Sequence, residues 1–206
     1  MSSPTPIPPG ALDVRPANEA SWEELRAVFG TTDYPGRCQC RRYKVLEHDW
    51  RASTPEERAG RLREESRCGT PDAESTTGLV AYFGGTPVGW AAVEPRTAYP
   101  RLLRTRVPWT GRQEDRADDG VWAVTCLLTR REYRRRGITY GLARATVPYA
   151  RDRGARALEA YPMITTPGVE ITWGELHVGS REGFAEAGFR EVSRPTLRRV
   201  VMRVDF

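Results

Sequence analysis

Three consecutive arginines, Arg134, Arg135 and Arg136, stand directly before Gly137 in the stretch Tyr133-Arg134-Arg135-Arg136-Gly137-Ile138-Thr139-Tyr140-Gly141-Leu142. The apolar run Val121 to Leu128 comes just before it, and a helical pattern follows. A strand, a short turn and a helix in that order present backbone N–H groups to an anion. The amides of a first helical turn have no intrahelical acceptor, and the helix dipole favours negative charge there. Gly137 has no Cβ to obstruct a close approach. Guanidinium forks suit phosphate oxygens. The segment reads as a pyrophosphate cradle.

Its spacing separates the candidate ligands. There is no Gly-x-x-x-x-Gly-Lys-Ser/Thr, which excludes a nucleotide P-loop, and no Gly-x-Gly-x-x-Gly after a first strand, which argues against a dinucleotide unit. The pattern that fits is Arg-x-x-Gly-x-Gly/Ala. The stretch Leu127 to Leu142 resembles the acetyl-CoA-binding motif of the GNAT superfamily of acyl-CoA-dependent N-acetyltransferases. Phe184-Ala185-Glu186-Ala187-Gly188-Phe189, followed by Arg190-Glu191-Val192, is similar to that family's last helix and the Gly-Phe leading into its final strands. The resemblance covers roughly Leu12 to Phe206.

The resemblance implies direct transfer of an acetyl group from acetyl-CoA to an amine through a tetrahedral intermediate. It places the main chain of Leu127, Leu128 and Thr129 against the pantetheine arm. Arg134, Arg135, Arg136, Gly137, Ile138, Thr139 and Tyr140 then hold the pyrophosphate, and Ser180 and Phe184 lie against the cofactor. Thr139 departs from the family's small residue. The family's usual acid is a tyrosine, but that position is Phe184 here, which has no proton to give. Tyr161, His177 and Ser180 are the alternative donors. A base for the amine needs a carboxylate with a raised pKa or one acting through water. Glu94 ranks first, after the apolar strand Gly89 to Val93, with Asp119 and Glu159 behind it. In the family fold the segment between the first two helices often lines the acceptor pocket, which makes Tyr34, Arg37, Cys38 and Cys40 substrate-side residues, together with Arg41 and Tyr43. Cys38-Gln39-Cys40 is not Cys-x-x-Cys and has no second pair, so no metal is expected.

These residues require a frame to hold them. Leu12 to Arg15 reads as a strand, and Trp22, Leu25, Val28 and Phe29 recur at helical spacing behind Asn18 or Ser21 as cap. Thr31 to Lys44 is irregular, and Tyr43 to Trp50 is a short helix. Thr54-Pro55-Glu56-Glu57 opens a helix that runs to about Cys68. Thr77 to Phe83, Gly84-Gly85 and Val88 to Val93 form a hairpin. Glu94 to Gly120 is a long loop rich in Pro, Arg and Asp, of the kind that has a function or moves. Then come a strand over Gly120 to Leu128, a helix over Gly137 to Arg153 and a strand over Ala155 to Tyr161. Pro162 to Gly174 is an irregular insertion. A helix over Ser180 to Ala187 precedes strands at Glu191 to Ser193 and Arg198 to Val204. This order predicts an α/β fold of α+β type, with a mixed sheet and helices on both faces. The resemblance makes that sheet mostly antiparallel, with about six or seven strands.

Met1 to Gly10 carries four prolines and is expected to be a disordered leader before a single domain over residues 11–206. The 206 residues suffice for one core, and no apolar run approaches a membrane span. Four cysteines do not make a disulfide framework, and a cytoplasmic location suits them as free thiols. The net charge of +5 comes almost wholly from arginine, since Lys44 is the only lysine. Basic charges alternate with acids elsewhere, so an anionic cofactor explains the cluster better than nucleic acid does. The expected partner is a small amine or a peptide amine. A homodimer through the terminal strands suits such folds, and the sequence does not decide it. A non-catalytic CoA-binding or interaction module is the alternative, made plausible by Phe184.

Overall fold

The computed structural model describes residues 5–8, 10–30, 33–166, 168–169 and 171–206, and of residue 173 the backbone only. Residues 1–4 and 9 of the expected leader lie outside the described residues, as do 31–32 of the irregular segment and 167 and 170 of the insertion. Among the described residues, seven strands form one sheet in the order β1-β2-β3-β4-β5-β7-β6. They are β1 (Asp13–Pro16), β2 (Gly78–Phe83), β3 (Thr86–Pro95), β4 (Val121–Thr129), β5 (Ala157–Ala160), β6 (Arg190–Ser193) and β7 (Val201–Asp205). Every neighbouring pair is antiparallel except β4–β5. The mixed, mostly antiparallel sheet is the one expected.

Helices cover both faces. On one lie α1 (Trp22–Phe29) and α4 (Pro55–Ser66), whose Leu25, Val28, Phe29 and Leu62 pack on Val80, Trp90, Cys126 and Leu128. On the other lie α5 (Ile138–Asp152) and α7 (Arg181–Glu186), whose Ile138, Leu142 and Phe184 pack on Leu79, Ala91 and Leu127. Short helices α2 (Tyr34–Cys38), α3 (Glu47–Ala52) and α6 (Trp173–Leu176) fill the connections. Ser21 and Glu24 form a capping box on α1, and Thr54 and Glu57 form one on α4, each satisfying two orphan donors. Asn18 is not the cap; it donates to Thr70 O and Pro71 O.

Two features of β4 shape everything near it. Its register with β3 slips between Ala92 and Val93, so Cys126 faces Ala92, Val124 faces Val93, and Thr125 is bulged. The extra residue reverses the side-chain alternation: Val124 and Leu127 share one face, while Cys126 and Leu128 share the other. Moreover β4 pairs with β3 to Thr129 but with β5 only through Val124. Beyond that point the two parallel strands diverge.

The leader is held in part. Ile7 is buried in the α5-side core, and its N–H donates to Arg136 O at 3.0 Å. Burying an isoleucine contributes on the order of 1.5–3 kcal/mol, which offsets part of the backbone entropy of ordering this segment. The expectation of a disordered leader therefore fails at Thr5 to Ile7.

Close packing of α5 depends on Gly89. A Cβ there would meet Ile138 Cγ2 at 2.9 Å, Leu128 O at 3.0 Å and Leu142 Cδ1 at 3.0 Å. Gly89→Ala is expected to destabilise by about 1–3 kcal/mol, read as a lower Tm. Gly60 lies within α4 and has open space at its Cβ position. Gly60→Ala should raise Tm, by up to about 1 kcal/mol of stability.

Candidate active site

The turn after β4 is built to leave donors open. α1 and α4 begin with capping boxes, but α5 begins at Gly137 with no side-chain cap. Gly137 has φ 82° and nothing within 4 Å of a Cβ position, so its main chain is approachable. Arg135 also has a positive φ, 60°, which costs a non-glycine residue about 1 kcal/mol or more. Side chains and backbone here enclose a cavity of about 440 Å³, lined by Leu127, Thr129, Tyr133, Arg134, Arg135, Gly137, Ile138, Thr139, Tyr140 and Leu176. A second cavity of about 270 Å³, between α1 and the arginine turn, shares Thr129 and Arg134 with it.

The side chains of three residues expected at this site point elsewhere, which for Leu128 leaves the expected main-chain contact untouched. Arg136 donates through Nε to Thr5 O at 3.0 Å and stacks over Phe83, because the leader and the hairpin compete for it. Leu128 is buried under α1 on the opposite face, a consequence of the β4 bulge. Phe184 is fully buried, edge-to-face with Phe189 at 5.0 Å, and stands behind the cleft rather than in it. Ser180 is occupied as the cap of α7, accepting from Gly183 N at 3.2 Å.

The wedge between β4 and β5 is spanned by residues 177–181. Leu127 N–H donates to His177 O at 2.6 Å, and Met163 pairs with Ser180, donating to Gly179 O at 2.9 Å. His177 thus sits at the partition between the large cavity and a small closed pocket. Tyr34, Cys38, Cys40, Arg42, Tyr43, Thr125, Cys126 and His177 line that pocket. Four expected substrate-side residues, Tyr34, Cys38, Cys40 and Tyr43, meet there, while Arg41 is buried against Glu65. Arg37 does not; its side chain is exposed, and its carbonyl accepts from Arg58.

Tyr161 does not face the cleft. Its hydroxyl donates to Glu159 Oε2 at 3.0 Å, and Glu159 is fully buried between Arg112 and Arg203, with Arg96 at 3.8 Å. A buried carboxylate needs such partners, and the arrangement commits both residues to structure. Burial, then the Glu159 charge, raises the Tyr161 hydroxyl well above its usual range.

Glu94 lies on the other side of the small pocket. It pairs with Lys44 Nζ at 2.5 Å, accepts from Thr77 Oγ1 and lines a cavity of about 510 Å³ with Glu64, Glu65 and Thr76. Tyr99, from the long segment before β4, lies beside it. Its buried hydroxyl lies beside both Thr125 and Glu94 without a well-aligned hydrogen bond, and burial raises its pKa. Asp119 is exposed. Among the described residues, no group of three or more His, Cys, Asp and Glu side chains could hold a metal ion.

Comparison with known proteins agrees with this geometry. The sequence model of the Acetyltransferase (GNAT) family matches residues 42–166, more than half of the chain. The chain belongs to the GNAT acetyltransferase family. No curated protein matches it. Among solved structures, an N-acetyltransferase from Staphylococcus aureus Mu50 is 14% identical over 94% of this chain and 98% of that one, with a TM-score of 0.52. The acetyltransferase yncA from Salmonella typhimurium, solved with its cofactor acetyl-CoA, is 14% identical over 95% of this chain and 94% of that one, also with a TM-score of 0.52. At these identities the likeness is one of fold. The bulged, diverging β4 and uncapped α5 of this GNAT acetyltransferase are thus features of a family member, read here from its own residues.

His177 supplies a test of the partition. Its Nδ1 lies 2.8 Å from Gly174 O, a bond that a neutral ring makes with Nδ1–H as donor. Burial pushes its pKa down to about 4. As pH falls below the unfolded value of about 6.5, the unfolded chain takes up the proton first, so stability is complete above that pH and declines toward pH 4. His177→Gln is expected to flatten that part of the Tm-versus-pH curve.

Proposed function

We propose that this protein transfers an acetyl group from acetyl-CoA to a primary amine by direct attack. The carrying observation is the open turn: an uncapped α5, an approachable Gly137 and two arginines on one 440 Å³ cavity beside the diverging end of β4. In this reading the first amides of α5, with Arg134 and Arg135, hold the pyrophosphate, while the main chain of Leu127 and Thr129 orients the pantetheine arm. Acetyl-CoA supplies an activated thioester, so the protein must position the reactants and move a proton. The amine approaches from the pocket of Tyr34, Tyr43 and His177. Its proton passes by Thr125 and Tyr99 to Glu94, which lines the open 510 Å³ cavity. His177 gates the passage, since its carbonyl holds the Leu127 N–H that faces the wedge.

The acceptor is a small amine or a peptide amine. No part is assigned to nucleic acid or to a membrane, and among the described residues no helix is long and apolar enough to cross one. The protein acts in the cytoplasm, as a monomer or a homodimer. Phe184 favours one second reading. With a phenylalanine fully buried where the usual acid stands, and Tyr161 committed to Glu159, the domain would bind CoA without turnover. Thiol release from acetyl-CoA over a panel of amines separates the two: turnover on any amine supports transfer, and tight CoA binding with none supports the module.

Arg134→Ala and Arg135→Ala are each expected to weaken CoA binding about 10- to 100-fold in calorimetry, the loss of a charge-assisted bond. Arg136→Ala should leave affinity within about 3-fold, because that side chain serves the leader. Glu94→Gln is expected to lower kcat by about 100-fold or more. An unchanged kcat removes Glu94 from the mechanism.

A further inference from the structure

Four cysteines are free, and three of them, Cys38, Cys40 and Cys126, line the small pocket beside His177, where the transfer reaction uses none of them. Cys40 is the distinctive one. It is half-buried, and its Sγ accepts from the indole Nε1–H of the fully buried Trp90 at 3.2 Å. The buried Cys126 thiol lines the same small pocket, in the cluster against which Cys40 packs. The indole donor holds the Cys40 sulfur as an acceptor, the arrangement a thiolate takes. Lys44 and Arg41 add positive charge nearby.

The backbone shows a second sign of construction. Gln39 and Cys40 are consecutive non-glycine residues in the left-handed region, with φ 49° and 53°. Each costs about 1–2 kcal/mol, so the surrounding contacts must fix this turn against its own preference. The turn ends α2 at Cys38, and just after it the Cys40 sulfur meets Trp90.

We propose that Cys40 and Cys126 are a redox-responsive pair, in which Cys40 reacts with a peroxide and Cys126 closes a disulfide that ties the α2 turn to β4. Cys40 sulfur attacks one oxygen of hydrogen peroxide, the O–O bond breaks, and the departing hydroxide takes a proton to become water. Cys126 sulfur then attacks the Cys40 sulfenic acid; the S–O bond breaks and a second water leaves with the Cys126 proton. Both thiols are oxidised, by two electrons in all, and the peroxide is reduced. Cys126 directly precedes Leu127, so the link lies at the passage between the cofactor cavity and the pocket.

The other thiols differ in ways that make the assignment selective. Burial pushes Cys38 up to about 11, and Cys68 shares its contact with Ser66 Oγ at 2.9 Å, away from this pocket. Accordingly Cys40 should alkylate with iodoacetamide at least about 10-fold faster than any other cysteine at pH 7.

The test treats the reduced full-length chain with stoichiometric hydrogen peroxide and maps the peptides by mass spectrometry. The expected product is a Cys40–Cys126 linked peptide, two hydrogens lighter than the sum of its parts, which dithiothreitol reverses. Cys126→Ser should give no link and should instead leave Cys40 sulfenic acid that dimedone traps. Cys126→Ala, checked for native circular dichroism, guards against a folding defect. A link through Cys38 or Cys68 in place of Cys126, or no link with Cys40 alkylating no faster than the rest, overturns the proposal. The result stands apart from acetyl transfer, since neither CoA nor an amine is present.

Discussion

A parallel strand pair that stops early governs this structure. β4 keeps β3 as a partner to Thr129 but loses β5 after Val124. Main-chain groups deprived of a strand partner must find another, since an unpaired buried donor costs about as much as a lost hydrogen bond. Leu127 finds His177 O. The same divergence lets the arginine turn and the start of α5 open onto a cavity instead of a neighbouring strand. The bulge at Thr125 is coupled to it: by reversing the alternation it keeps Leu127 on the α5 side and Cys126 on the α1 side. One strand therefore lines the 440 Å³ cavity from one face and the small pocket from the other.

The far half of the sheet is made rigid by a different device. Glu159 is buried with Arg112, Arg203 and Tyr161 as partners, joining β5 to β7 and to the long segment before β4. Arg96, also fully buried, adds Glu114 at 3.0 Å. Removing one partner from such a group leaves an uncompensated buried charge, so the network holds its members in place. The long loop over Glu94 to Gly120 is thus structural where it carries Arg96, Leu102, Trp109 and Arg112, and it buries Tyr99 beside Thr125 and Glu94. A mobile lid is not what its packing describes.

What was legible in the sequence was local. The Ser21 and Thr54 capping boxes, the Gly84-Gly85 turn with φ 55° and 76°, and the uncapped turn at Gly137 all follow from short-range rules. α2 was not legible, because Tyr-Pro-Gly gives no helical period and its stop is a left-handed glutamine rather than a glycine. α6 is a single turn that tertiary contacts hold. Tyr161 was misassigned because its partner network comes from residues 96, 112 and 203, far along the chain. One signal was available: Glu159 and Tyr161 are two apart on a strand and must share a face. Arg136 was misassigned for a similar reason, since the leader that engages it carries no pattern of its own. Tyr99 lay in a loop without periodicity, and only the closure of that loop over β4 brings its hydroxyl to Thr125.

The central claim is that the unpaired end of β4 and the first turn of α5 together grip CoA. Amide chemical shifts of the ¹⁵N-labelled protein, followed as CoA is added, test it most directly. The account requires large changes at Leu127, Thr129, Ile138 and Thr139, with a change at His177 as its carbonyl gives up Leu127 N–H, and little change across β1 and β2. Saturating CoA that leaves those four amides unmoved, or that moves residues of some other surface instead, would contradict it.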